Sequence, residues 1–126
     1  MPARLATARP FLHIHEDLMR GFFRMDYPRE GGAGGTAVFT NGTIAGWDTG
    51  GCFFRGDYAD TGMGIEGVLT LSFPNGGTSP TGESIARATA PQRISFRIPN
   101  AARADEMVLT TVTGDVTIRL TRVGSL

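Results

Sequence analysis

Thr36-Ala37-Val38-Phe39-Thr40-Asn41-Gly42-Thr43-Ile44-Ala45-Gly46-Trp47-Asp48 decides the fold. Two short runs rich in β-branched and aromatic residues flank an Asn-Gly pair. Both central residues of a type I′ turn need positive φ, which asparagine and glycine adopt with least strain. The twist of that turn matches two antiparallel strands. The stretch therefore predicts a hairpin with strands at Thr36–Thr40 and Thr43–Asp48.

The same period of two extends to both sides. Upstream, from Gly21, Phe23, Met25 and Tyr27 alternate with Arg24 and Asp26. Pro28 and the run from Glu30 to Gly35 then break the strand. Downstream, Cys52, Phe54 and Tyr58 alternate with Arg55 and Asp57. Ile65, Leu69, Leu71 and Phe73 alternate with Glu66, Thr70 and Ser72, and Gly67 takes the remaining inward place. Pro74 to Pro91 is one long connection in which Ser84–Ala88 has room for a helical turn. Ile94, Phe96 and Ile98 form the sixth strand, and Pro99–Asp105 is a loop. Met107–Val112 is the seventh strand, Thr113-Gly114 turns, and Val116, Ile118 and Leu120 form the eighth.

Eight antiparallel strands in chain order, with mostly hairpin-length links, predict an all-β, up-and-down barrel, because closure removes exposed edges. A β-sandwich is the alternative. Such a barrel is filled by its own side chains or holds one small ligand. The inward side chains that would line a cavity are Phe23, Met25, Phe39, Phe54, Tyr58, Leu69, Leu71, Phe96, Ile118 and Leu120. Glycines at 46, 56 and 67 fall on inward positions and leave space among them. Phe22, Phe53, Val68 and Leu109 are read as outward apolar residues, which a symmetric homodimer interface would cover.

Composition excludes more than it assigns. The 126 residues fit one domain, and a chain of this size buries roughly two-thirds of its unfolded surface without disulfides or metal. Twelve basic and twelve acidic residues cancel, so the basic footprint of a duplex nucleic-acid binder is missing and no nucleic-acid partner is expected. All the basic residues are arginine. Without lysine there is no Walker A loop and no Schiff-base chemistry. The single cysteine, Cys52, permits no internal disulfide, and the chain carries no membrane-length apolar run, so a cytoplasmic protein with no membrane partner is expected. Residues 1–18 hold both histidines and no alternation. They are read as an N-terminal extension, a loose arm or short helix, ahead of a single domain at 19–126. Met19 is an alternative start.

Single motifs weaken on inspection. Gly62-Met63-Gly64-Ile65-Glu66-Gly67 matches G-x-G-x-x-G. It leads into a strand rather than a helix whose N-terminal amides would meet a pyrophosphate, so it reads as a hairpin loop. His13 and His15 lack the further ligands a metal site needs. Cys52, in an apolar run with no histidine near it in sequence, reads as a buried inert thiol. Asp48, Asp57 and Asp60 are the one grouping of carboxylates, and solvated loops account for them as well as a cleft would. No hydrolase elbow or zinc motif occurs, and neither an enzyme nor a cofactor is expected. Trp47 reads first as a plug of the barrel end and second as a partner or ligand contact.

Gly21-Phe22-Phe23-Arg24-Met25-Asp26-Tyr27, then Asn41-Gly42-Thr43-Ile44-Ala45-Gly46-Trp47-Asp48, then Phe54-Arg55-Gly56-Asp57-Tyr58 resembles the GrlR-type family, small negative regulators of bacterial type III secretion genes. The match spans Gly21 to Phe73. The resemblance implies a lipocalin-like (calycin) barrel, a homodimer, and sequestration of a transcriptional activator by direct contact. It places the family's activator contact in the loop after Tyr58, where Asp60 and Met63 are the candidate residues, and Trp47 joins them as a candidate partner contact on its own chemistry. Two features depart from the pattern. Trp47 stands where the family has the second glycine of Gly-Gly-Asp, and the loop after Tyr58 carries one carboxylate instead of an acidic cluster. The functional expectation is a non-enzymatic regulator acting through protein contacts. A barrel that binds a small apolar ligand is the alternative.

Overall fold

Asn41 and Gly42 have φ angles of 50° and 85°, so the pair makes the predicted tight turn. From it β2 (Gly34–Thr40) and β3 (Thr43–Asp48) pair in register from Thr40↔Thr43 back to Gly35↔Asp48. The computed structural model describes residues 18–29 and 31–126. Around the hairpin lie β1 (Gly21–Asp26), β4 (Phe53–Asp60), β5 (Ile65–Ser72), β8 (Gln92–Ile98), β9 (Glu106–Thr111) and β10 (Gly114–Gly124). These eight strands close into an antiparallel barrel in the order β1-β10-β9-β8-β5-β4-β3-β2. It is a lipocalin-like up-and-down barrel, and closure excludes the sandwich. The expected N-terminal extension, with His13 and His15, lies outside the described residues except for Leu18, which turns with Met19 into β1.

The long connection differs from expectation. Instead of a helical turn at Ser84–Ala88, it holds two short strands, β6 (Gly77–Thr78) and β7 (Ser84–Ile85), which pair with each other outside the barrel. The Thr78 amide donates to the Gly50 carbonyl at 2.8 Å, which ties this hairpin to the β3–β4 turn. The connection thereby folds across one end of the barrel. The β9–β10 turn sits one residue earlier than read, at Val112-Thr113.

Alternation sorts the side chains cleanly. Phe23, Met25, Phe39, Phe54, Tyr58, Leu69, Leu71, Phe96, Ile118 and Leu120 are all buried in one cluster inside the barrel. Phe39 meets Phe23 and Tyr58 edge to face, with ring centroids 5.2 and 5.5 Å apart. Outward positions carry Arg24, Arg55, Asp57, Arg93, Arg97 and Arg119. That arrangement is the inverse of a membrane barrel, which turns an apolar band outward. No helix among the described residues is long and apolar enough to cross a membrane.

Two expectations about the wall are corrected. Leu109 is not outward: it pairs with Phe96 and is 1% exposed, because β9 turns Met107, Leu109 and Thr111 inward. Gly56 does not leave usable space. It does share the inward face of Phe54 and Tyr58, but a Cβ there would collide with the backbone carbonyl of Val68 on β5. At Gly46 and Gly67 an added Cβ would meet the backbone carbonyls of Thr36 and Asp57 first, and then the rings of Phe54 and Phe96, their cross-strand partners. The glycines thus accommodate close strands and covering aromatics.

Candidate functional site

At the barrel end opposite the Asn41-Gly42 turn, Asp48-Thr49-Gly50-Gly51-Cys52 forms the β3–β4 turn. Asp48 Oδ1 accepts from the amides of Gly50 at 2.9 Å and Cys52 at 3.0 Å. This is the local side-chain-to-backbone bonding that aspartate favours at turns. The other oxygen, Oδ2, accepts the Tyr27 hydroxyl at 2.6 Å from just beyond β1. The carboxylate is 8% exposed, so these three donors replace water around it. Arg29 places its guanidinium carbon 6.0 Å from the Tyr27 ring centroid.

The same packing quiets both proton donors. Burial, then the hydrogen bond to Asp48 and its charge, push the Tyr27 phenol well above its ordinary value. Burial, then the negative charge of Asp48, push the Cys52 thiol up to about 12. A nucleophilic thiol needs the opposite, a lowered pKa with access to solvent, and Cys52 is fully buried. Tyr27, Asp48 and Cys52 are therefore a structural clasp that closes this end. The carboxylate grouping noted in the sequence is dispersed. Asp48 is in the clasp, Asp57 faces outward, and Asp60 caps the opposite hairpin by accepting from the Gly62 amide at 2.8 Å. Among the described residues no group of three metal-ligating side chains is present.

Trp47 does not plug the barrel. It is 55% exposed on the outer face of β3, directly opposite Phe53 on β4, which is 58% exposed. The barrel end is filled by the clasp and by the β6–β7 connection, so an inward tryptophan has no role there. Met63 stands 82% exposed at the tip of the β4–β5 hairpin, so the glycine motif is a hairpin loop that runs into β5 at Ile65. The three candidate contact residues are not brought together. Asp60 lies seven positions along β4 from the partner of Trp47, about 23 Å at ~3.3 Å per residue.

What does assemble around Trp47 is a patch on the outer wall of β1–β4. One cross-strand row reads Arg24, Thr36, Trp47, Phe53, and the adjacent row reads Phe22, Val38, Ala45, Arg55. Thr36, Trp47, Val38 and Ala45 fill the middle, and an arginine stands at each of two opposite corners. Arg24 is paired with Asp26 at 3.1 Å, while Arg55 makes no ion pair or hydrogen bond among the described residues. Beside the patch, a groove of about 690 Å³ runs over β1, β10 and β9 across the row Asp26–Arg119–Glu106, wide open and charged. The sequence signal for the patch was the outward phase of Trp47 and Phe53, each one step from an inward glycine or phenylalanine.

Compared with protein-family models, with curated proteins and with solved structures, the chain matches none.

Proposed function

We propose that this chain is a cytoplasmic, non-enzymatic regulatory protein that acts through protein contacts as a homodimer. Its target is a transcriptional activator, as the resemblance to GrlR-type negative regulators of type III secretion implies. The observation that carries the reading is the exposed Trp47–Phe53 pair, which runs from the middle of the outer patch to one of its corners. Tryptophan and arginine dominate interface hot spots, and a patch that leaves them in water has an unmet tendency to associate. The packed interior and the quieted Tyr27 and Cys52 support a role at the surface instead of chemistry inside.

The occupant of this patch is a second copy. With a two-fold axis parallel to the strands, β1 of one protomer lies over β4 of its partner. Each arginine corner then meets an aromatic corner: Arg24 meets Phe53, and Arg55 meets Phe22. Both are cation–π partners, and both occur twice by symmetry.

Light scattering at micromolar concentration tests this. The parent protein is expected to be a dimer, and a Trp47→Ser, Phe53→Ser variant a folded monomer. A monomeric parent, or a variant that stays dimeric, would overturn the assignment.

A further inference from the structure

The barrel wall is not evenly closed. β8 and β9 pair only through Ser95↔Thr110, Phe96↔Leu109 and Arg97↔Val108. Before Ser95, the residues Gln92, Arg93 and Ile94 stay with β5, on Leu71, Thr70 and Leu69. After Thr110, Thr111 stays with β10 through Gly114. No pairing joins the two strands further toward the end closed by the clasp, and a wedge is left between them.

A preformed turn covers the wedge. The Ser79 hydroxyl accepts from the Glu83 amide at 3.0 Å and shares a hydrogen bond with the Thr81 hydroxyl at 2.9 Å. The Ser79 amide donates to the Glu83 carbonyl at 2.8 Å, and the Gly82 amide to the Ser79 carbonyl at 2.9 Å. Ser79 and Pro80 are buried, so this roof is held by its own bonds before any ligand arrives.

Between roof and strands lies a cavity of about 190 Å³ with Leu71, Pro80, Ile94 and Leu109 on its walls. Gln92, Glu83 and Arg93 stand at its edge, and among the described residues their side chains make no hydrogen bond or ion pair. Glutamate and arginine cancel in charge, so the edge selects no ion, while the Gln92 amide offers both a donor and an acceptor.

We propose that this seam between β8 and β9 binds a small neutral molecule with an apolar body and a hydroxyl or amide head. An apolar protein cavity of about 150 Å³ takes benzene, so this one accepts about seven or eight non-hydrogen atoms. The body lies against Leu71, Ile94 and Leu109, and the head stays with Gln92. The site is lateral, through the wall, and is separate from both the filled barrel axis and the Trp47 patch.

Benzyl alcohol is a probe of the right size, titrated into the full chain while amide resonances are followed by NMR. Saturable shifts are expected at Ser79–Glu83, Gln92–Ile94 and Leu109–Val112, with half-saturation on the order of 0.1–1 mM for so small a ligand. Ile94→Phe fills the wedge and should weaken binding by about tenfold or more. Val112→Trp, at a fully exposed position by the mouth, covers the entrance without touching the core and should do the same if Ile94→Phe does not fold. Trp47→Ser should bind as the parent does. No saturable shift, or shifts that persist unchanged in the folded seam variant, would overturn the proposal.

Discussion

The guanidinium carbon of Arg122 lies 4.6 Å from the centroid of the Phe23 ring, its cross-strand partner on β1. Arg122 follows Ile118 and Leu120 in the inward phase of β10, so its side chain turns across the mouth of the barrel. Its two terminal nitrogens donate to the carbonyls of Arg20 at 2.8 Å and Leu18 at 2.7 Å. One side chain thus covers the core aromatic and ties down the turn that buries Met19.

Arg122→Lys keeps the charge but loses the planar fork that reaches two carbonyls and stacks on the ring. The expected loss is about 1–2 kcal/mol, since the hydrogen bonds are exposed and the ring contact is modest. Urea unfolding measures it. A midpoint equal to that of the parent would mean the turn at Leu18–Met19 is held by Met19 packing alone.

Gly56→Ala is expected to destabilise by about 1–3 kcal/mol or more, because the new methyl meets the Val68 carbonyl, a backbone atom that cannot rotate away. An unchanged melting midpoint would mean that β4 and β5 do not approach this closely at Gly56. Thermal melts of the two proteins decide between these outcomes.

Gly42→Val forces a β-branched residue to a φ of 85°. Space is not the obstacle, as the nearest atom to an added Cβ is the Tyr58 carbonyl oxygen at 3.5 Å. The cost is backbone strain of about 1–3 kcal/mol. Gly42→Asn, whose side chain tolerates the left-handed region, should recover most of the loss. Equal melting points for the valine and asparagine variants would contradict this.

The barrel was legible because most of its strands keep a period of two and because Asn41-Gly42 fixes one register outright. Trp47 was misread for a physical reason. Hydrophobicity alone sends tryptophan inward, but its phase on β3, set by Ile44 and Asp48 on the other face, sends it out. Leu109 erred the other way, since β9 buries Met107, Val108 and Leu109 in succession and so shows no alternation. Val108 is outward yet buried, and the Arg97–Asp115 ion pair, at 3.1 Å, reaches across β9 from β8 to β10. Arg122 and Asp48 lie on inward phases where a charge is least expected, and the partners that hold them there, Leu18, Arg20 and Tyr27, are distant in sequence. The seam between β8 and β9 has no local signal at all, because it arises where two strands choose different neighbours.

The clasp makes a prediction about alkaline pH. Cys52 ordinarily titrates near 9.0 and is held up to about 12 in the folded protein, and the Tyr27 phenol is raised from 10.0. In both, the folded state favours the protonated, neutral form. Below about pH 9 the folded and unfolded chains both keep these protons, so the contribution to stability is fully present. Above that value the unfolded chain releases the thiol proton first and the phenol proton next, while the folded chain holds both. Stability therefore falls as pH rises from about 9 towards about 12. Tyr27→Phe at neutral pH should cost about 1–3 kcal/mol, because Asp48 Oδ2 loses its donor in a buried site. Combined with Cys52→Val it should also flatten the alkaline fall. Urea midpoints at neutral pH and at about pH 10.5 give the comparison, with the parent expected to lose more than the double variant. An equal loss in the two proteins would show that neither buried group is linked to folding.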